Sequence, residues 1–246
     1  MLKIFDSNSH FLQSNILKED YLSKIKAYNI CGSIVTFLPE KKLEFLFSNS
    51  NDLGDSFIPI PYFNGSNLKD LKKYYKKYSF KGIKIHPRFS NLKLSDNKIF
   101  NDLFSFAIKN KILIFICTYY HSNLNYPIID PLFSISKIKN NFPNLRMILL
   151  HGGDVRLAEF AQFARHYNDV FIDLSYTLSK YNSDFIDSQI LFCFNELDKK
   201  CLIGSDFPYL SLKSFRERAD YLTKNISIEK KQNIYFKNAN ELFFQQ

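Results

Sequence analysis

Short apolar runs recur along this chain at fairly even intervals, and stretches with apolar residues every third or fourth position separate them. The short runs predict strands at residues 2–6, 33–37, 57–63, 82–86, 112–118, 146–151, 170–175 and 201–206. Most are rich in β-branched and aromatic residues, and several, such as ILIFIC and MILL, are apolar throughout. A strand with no polar face is buried on both sides, as in a parallel sheet. The intervening segments predict helices. Residues 17–28 carry Leu17, Tyr21, Leu22 and Ile25 at helical spacing. Residues 97–110 follow the capping pair Ser95-Asp96 and show Ile99, Leu103, Phe106 and Ala107 as a stripe. Residues 131–141, 156–166, 211–224, 228–236 and 238–244 follow the same logic, and the periodicity is least regular around 40–47. Eight alternating units in one chain predict an α/β fold, a single (β/α)8 TIM barrel spanning residues 1–246, rather than an open doubly wound sheet.

Composition fits this picture. A chain of 246 residues with 46% hydrophobic and 23% charged residues can bury a full core without disulfides or a metal. That excludes a disordered chain, a collagen and a disulfide-framed miniprotein. The 33 Lys and Arg against 24 Asp and Glu leave a net charge of +9. The lysines are spread along the chain beside abundant Asn, Ile, Phe and Tyr, as AT-rich coding would give. The densest run, KDLKKYYKK at 69–77, alternates with Leu71, Tyr74, Tyr75 and Tyr78 and reads as the wet face of a helix. Neither nucleic acid nor a membrane is therefore expected as a partner, and no apolar run approaches a membrane span. The four cysteines, Cys31, Cys117, Cys193 and Cys201, form no CxxC pair. Free thiols in the cytoplasm are the expectation, because the apolar part of the N-terminus is too short for a signal peptide.

The chemistry-bearing residues fall at strand ends. Asn8 and His10 follow the first strand, and His86 ends the fourth. Cys117 lies at the end of the fifth, His151 ends the sixth, and Asp206 ends the eighth. In a closed barrel these ends converge on one rim. Singly, each has a plain structural explanation: a hydrogen-bonded His, a small buried Cys, an Asp in a turn. Together, imidazole, thiolate and carboxylate at one rim are ligands that suit zinc.

Six segments, in order, carry a family resemblance: FDSNSHF (5–11), KGIKIHPRF (81–89), FPNLRMILLHGG (142–153), NDVFIDLS (168–175), LIGSDFP (202–208) and NANELF (238–243). The sequence resembles the amidohydrolase superfamily, in its amidohydrolase-related branch of metal-dependent hydrolases and decarboxylases. The resemblance implies a divalent metal ion, zinc first among the candidates. It implies ligands at the positions of Asn8, His10, Cys117, His151 and Asp206, with Asp206 also the general acid/base. The set is degenerate, because Asn8 and Cys117 stand where the family places histidines. Lys84, where other branches carry a bridging lysine, is expected to pair with a charge or orient substrate.

Asp206, His151 and Lys84 are thus the expected catalytic residues, and His86, Arg88, Tyr119, His121 and Tyr176 the expected substrate-binding residues. Arg88, like Arg156, could hold a carboxylate or phosphate. The expected activity is hydrolysis of a small amide, lactone or cyclic substrate by metal-activated water. A decarboxylase-type lyase and a catalytically silent binding barrel are the alternatives. The expected partner is a small molecule, with anionic ones among the candidates, and a homodimer is open.

Overall fold

The computed structural model describes residues 1–36, 43–94, 96–119 and 130–245. Nine strands run in chain order: β1 (Ile4–Ser9), β2 (Ile30–Thr36), β3 (Phe57–Ile60), β4 (Tyr62–Phe63), β5 (Gly82–Ile85), β6 (Leu113–Cys117), β7 (Met147–Leu150), β8 (Val170–Asp173) and β9 (Cys201–Leu202). They pair in sequence order and in parallel. β3 and β4 are two halves of one stave parted at Pro61. Its ring leaves no N–H for the ladder, but its carbonyl accepts from the Lys84 amide at 2.8 Å and carries the sheet onward. The ring closes where Ser9 bridges Phe207 in parallel. There the amides of Ser7, His10 and Asp206 donate to the carbonyls of Ile203, Phe207 and Asn8 at 3.0, 2.7 and 2.9 Å. The chain folds as an eight-staved TIM barrel.

Helices return the chain between staves. Among them are Asn15–Ile25, Leu43–Ser50, Leu68–Tyr78, Asn97–Lys109, Pro131–Asn141, Leu157–His166, Asp184–Glu196 and Leu212–Leu222. Two apolar layers follow from the two faces of each strand. On β6, Ile114 and Ile116 face the helices, whereas Leu113 and Phe115 fill the barrel with Phe5, Ile34, Ile148 and Leu202. The interior is crowded enough to need a glycine: a Cβ on Gly82 would stand 2.4 Å from the Phe115 ring. The helix Asn238–Phe243 closes the bottom. Its Phe243 ring stacks on Phe5 at 6.4 Å and on Phe115 at 6.1 Å. Only the end holding the strand C-termini is left for chemistry.

The predicted strands all appear, with shifts at the seam. β1 extends to Ser9, so Asn8 lies inside the strand. β9 has only two ladder residues, and residues 204–206 leave the ladder. The helix Asp184–Glu196 is absent from the predicted set, although Ile186, Ile190, Cys193 and Phe194 recur at helical spacing and are buried. The helix expected at 40–47 is observed as Leu43–Ser50, and residues 40–42 lie outside the described residues. The basic run keeps its lysines exposed while Leu71 is buried. Among the described residues, no helix is long and apolar enough to cross a membrane.

If the C-terminal helix seals the barrel, Phe243→Ala should lower unfolding free energy by about 3–5 kcal/mol, the usual cost of emptying an aromatic core position. Urea denaturation measures it, and a loss below about 1 kcal/mol would show that Phe243 does not plug the barrel.

Candidate active site

The seam between β1 and β9 is built on a buried carboxyl. Asp6, fully buried, accepts from the Ser205 amide at 2.8 Å, the Ser205 hydroxyl at 2.6 Å, the Tyr21 hydroxyl at 2.8 Å and the Asn8 amide at 3.3 Å. Burial pushes it from 3.8 up to about 7, against the pull of these donors. Asp173, one stave inward, accepts from the hydroxyls of Ser7 and Ser175. Burial raises it too, opposed by the His151 charge and its two serines. The backbone approach is close, since a Cβ on Gly204 would lie 2.8 Å from the Asn8 nitrogen.

This seam fixes Asn8, His10 and Asp206 side by side. Asn8 Nδ2 donates to Asp206 Oδ1 at 2.6 Å and to Ser175 Oγ at 3.1 Å. Its Oδ1 faces the Lys84 ammonium at 3.4 Å. The opposite amide orientation would set oxygen against carboxylate and nitrogen against ammonium, so the neighbours decide it. His10 Nδ1 lies 3.1 Å from the Thr36 carbonyl, which can only accept, so this nitrogen carries the proton. Nε2 lies 3.4 Å from Lys84 Nζ and 3.4 Å from Asp206 Oδ1. Burial, helped by the Lys84 charge, holds His10 below its usual range, which agrees with a neutral ring. Lys84 also donates to Thr36 Oγ1 at 3.2 Å. Burial lowers Lys84, opposed by Asp206, Cys117 and Asp173. Burial would raise Asp206, but His10, His151 and Lys84 outweigh it and hold the carboxylate ionised well below its usual range.

A second cluster lies across the axis. Cys117 ends β6, between the strand ends that carry His86 and His151. His86 Nδ1 accepts from the Phe89 amide at 3.3 Å, so its proton is on Nε2. His151 Nδ1 donates to the Ser175 carbonyl at 2.8 Å. Burial would raise Cys117, but the two imidazoles overcome it and hold the thiol well below its usual range. Burial would lower His151, but Cys117, Asp206 and Asp173 raise it to about 9. Both shifts favour the charged form of the group.

Rim residues also carry backbone strain. His151, Tyr176 and Asp206 adopt φ of 66°, 66° and 54° at three successive strand ends. Such values are uncommon outside glycine and concentrate at functional sites.

Around the mouth, Tyr119 stands edge-on to His151 and Tyr176, at 6.1 and 5.1 Å between ring centres. Arg88 lies 5.0 Å over the Tyr119 ring, and Lys180 Nζ is 2.6 Å from the Tyr119 hydroxyl. The Arg88 Nε is buried with no hydrogen-bond partner. The structure therefore brings together Asn8, His10, Lys84, His86, Arg88, Cys117, Tyr119, His151, Tyr176 and Asp206 from the expected set. His121 lies outside the described residues. Arg156 is ion-paired, bonded to Asp130 at 3.0 Å and Glu159 at 2.6 Å. Sequence reasoning missed Asp6, Thr36, Asp173 and Lys180. The polar ends of β2 and β8, in otherwise apolar runs, were the available signal for Thr36 and Asp173.

The chain belongs to the amidohydrolase family, whose profile matches residues 54–245. Among solved structures, it is similar to an uncharacterized TIM-barrel protein from Bordetella bronchiseptica, with 16% identity, 98% of each chain covered and a TM-score of 0.80. It is similar to a probable 2-pyrone-4,6-dicarboxylic acid hydrolase from Acinetobacter baumannii, at 11% identity, covering 98% of this chain and 99% of that one, with a TM-score of 0.72. A 4-oxalomesaconate hydratase from Rhodopseudomonas palustris aligns at 18% identity over 94% and 82% of the two chains, TM-score 0.67. No curated protein matches this chain.

Amidohydrolases commonly use divalent metals. The donors of this chain do not fit one as arranged. Among the described residues, no three His, Cys, Asp or Glu side chains are gathered so as to hold an ion. Asn8 turns its N–H toward Asp206 and its oxygen toward an ammonium. Lys84 Nζ, 3.4 Å from both Asn8 Oδ1 and His10 Nε2, places an amine among these donors.

Two outcomes follow from this site. Replacing Asn8 and Cys117 together by His should tighten zinc binding by about 10-fold or more in a calorimetric titration, because imidazole is a stronger donor than an amide. An unchanged affinity would refute the correspondence of these positions with the family's ligands. The second outcome concerns Asp6, which stays protonated in the folded protein up to about 7, whereas the unfolded chain ionises it near 3.8. Stability from Asp6 is therefore full at low pH and is lost as pH rises toward 7. The parent's advantage in unfolding free energy over Asp6→Asn should shrink between about pH 4 and about pH 7, by an amount on the order of a few kcal/mol. An advantage that grows with pH would reverse the assignment.

Proposed function

We propose that this protein is a hydrolase that opens a small amide, lactone or other cyclic substrate bearing a carboxylate. The observation that carries the reading is Asp206. It is an ionised carboxylate at the strand ends, held by Asn8 at 2.6 Å and flanked by His10 and Lys84. A positioned carboxylate beside a fixed cation is suited to take a proton from water as negative charge develops on a neighbouring carbonyl oxygen. Lys84 Nζ supplies that cation. His151, raised to about 9, is the proton donor for the leaving group. Arg88, whose buried Nε lacks a partner, and Lys180 beside Tyr119 are the groups to receive the substrate carboxylate. Similarity to a probable 2-pyrone-4,6-dicarboxylic acid hydrolase supports a cyclic, carboxylated substrate. Metal-activated water, the form of this chemistry that the family resemblance implies, is left out because the donors are engaged with one another.

Asp206→Asn tests the reading. The residue sits at φ 54°, a conformation Asn adopts as readily as Asp. The variant keeps shape but loses basicity. Turnover on a panel of carboxylated lactones and cyclic amides should fall by about 100-fold or more, with Tm within a few degrees of the parent. Retained turnover would remove Asp206 from the chemistry. A large fall in Tm alone would favour a structural role in a binding barrel.

A further inference from the structure

Three observations bear on Tyr62, which the reading above leaves unused. First, its side chain faces the barrel interior at the mouth. Tyr62 on β4 is in register with Lys84 on β5, and register partners in a parallel ladder share a face. Lys84 points inward, since its ammonium lies 3.2 Å from Thr36 Oγ1 on β2 and 3.4 Å from Asn8 Oδ1 on β1. Ile58 and Ile60 of the same stave line the barrel interior, and Tyr62 is the next inward position above them. Phe63 packs instead with the helix-facing layer. Second, the backbone there is pinned. The Tyr62 carbonyl accepts from Asn67 Nδ2 at 2.8 Å, and the Pro61 carbonyl accepts from the Lys84 amide at 2.8 Å. Third, Tyr62 is 6% exposed, and its hydroxyl is buried with no hydrogen-bond partner among the described residues. The buried Tyr21 and Tyr235 differ: Tyr21 donates to Asp6 at 2.8 Å, and Tyr235 donates to Asp220 at 2.9 Å. A buried phenol normally finds such a partner, and one left stranded is costly.

Resting on the hydrolase reading, we propose that Tyr62 is a specificity-determining residue whose hydroxyl bonds to a polar atom of the substrate ring. Its stave neighbours the one that carries Lys84 and leads into the helix Pro87–Ser90. On that helix the Arg88 Nε is likewise buried without a partner. A carboxylated ring therefore meets two unpartnered groups on this wall: Arg88 for the carboxylate and Tyr62 for the ring. The phenol gives its proton to a ring or carbonyl oxygen, or receives one from a ring N–H. A ring with such an atom exchanges its bond to water for a bond to Tyr62. A carbocycle leaves the hydroxyl stranded, and a site built to make a hydrogen bond rejects a ligand that cannot complete it. Among anionic rings of one size and charge, the site selects those that carry oxygen or nitrogen in the ring or an oxo group on it.

The test uses the full chain and a pair of probes. One is 4-pyrone-2-carboxylate, an oxygen ring with a carboxylate that is no lactone and so is not consumed. The other is benzoate, which matches its ring size and charge but has no ring heteroatom and no oxo group. In calorimetric titration the parent should bind the pyrone about 10-fold more tightly than benzoate, or better. Tyr62→Phe keeps the ring and should bring the two affinities within about 2-fold of each other. Its Tm should equal or exceed the parent's, because the hydroxyl removed has no partner to lose. A Tm lowered by more than about 3 °C would reveal a structural bond to the hydroxyl and overturn the proposal. Equal affinities in the parent, no binding of either probe, or a pyrone preference that Tyr62→Phe retains would overturn it as well. Turnover on the lactone panel separates this proposal from the reading beneath it. If the pyrone preference depends on Tyr62 in a parent that turns over nothing in the panel, the specificity residue stands and the hydrolase reading falls. If Asp206→Asn loses turnover while Tyr62→Phe keeps the parent's affinities, the hydrolase stands and the specificity residue is wrong.

Discussion

The rest of this structure depends on the closure between its first and last strands. β9 contributes two ladder residues, too few to hold a seam with backbone bonds alone. Side chains supply the remainder. Asp6 collects four donors, two of them from Ser205, and Asp173 collects Ser7 and Ser175. Each of these carboxyls is buried, so each bond is made where water cannot compete, and each lost bond would leave a polar group stranded. The same seam sets Asn8 and His10 against Asp206. Fold closure and site assembly are one event in this protein.

The site brings opposite charges near one another. Lys84 reaches Asn8 and His10, which both lie against Asp206, and the charges of His151 and Cys117 bear on each other. In a water-poor rim, pairing of this kind is what lets ionised groups persist. It also sets what each can do. A carboxylate held ionised is available to receive a proton. An imidazolium stabilised by its neighbours is available to give one. His10 is oriented by the bond between its Nδ1 and the Thr36 carbonyl. The barrel thus holds groups of opposite proton-transfer character within one cavity mouth, each set by environment rather than by residue type.

Identity to the similar solved structures stays at 11–18% for the three compared, yet the alignments cover 94–98% of this chain. Burial pattern explains this tolerance. Alternation of apolar side chains across each stave is satisfied by many residues of suitable size, while a site is satisfied by few. Membership in the amidohydrolase family therefore defines the scaffold, and the residues at the rim define the reaction.

Much of the architecture was legible in the linear sequence because its causes are local. Fully apolar strands such as LIFIC announce burial on both faces, and stripes such as Ile99, Leu103, Phe106 and Ala107 announce helices packed over them. Polar residues at the ends of those strands marked the rim, and Asn8, His10, Lys84, His86, Cys117, His151 and Asp206 do meet there. What each does was decided only by tertiary structure. Asn8 and Asp206 are 198 positions apart, and no local pattern reports that the amide points its nitrogen at the carboxylate. Asp6 and Asp206 look alike in sequence, but one faces Tyr21 and stays protonated, and the other faces cations and stays ionised. Lys84 was expected to pair with a charge or orient substrate, and the fold supplies its partners, Asn8, His10 and Thr36. Protonation and partner choice depend on desolvation and on distances across the closed ring. Both quantities come into being only when the last strand meets the first.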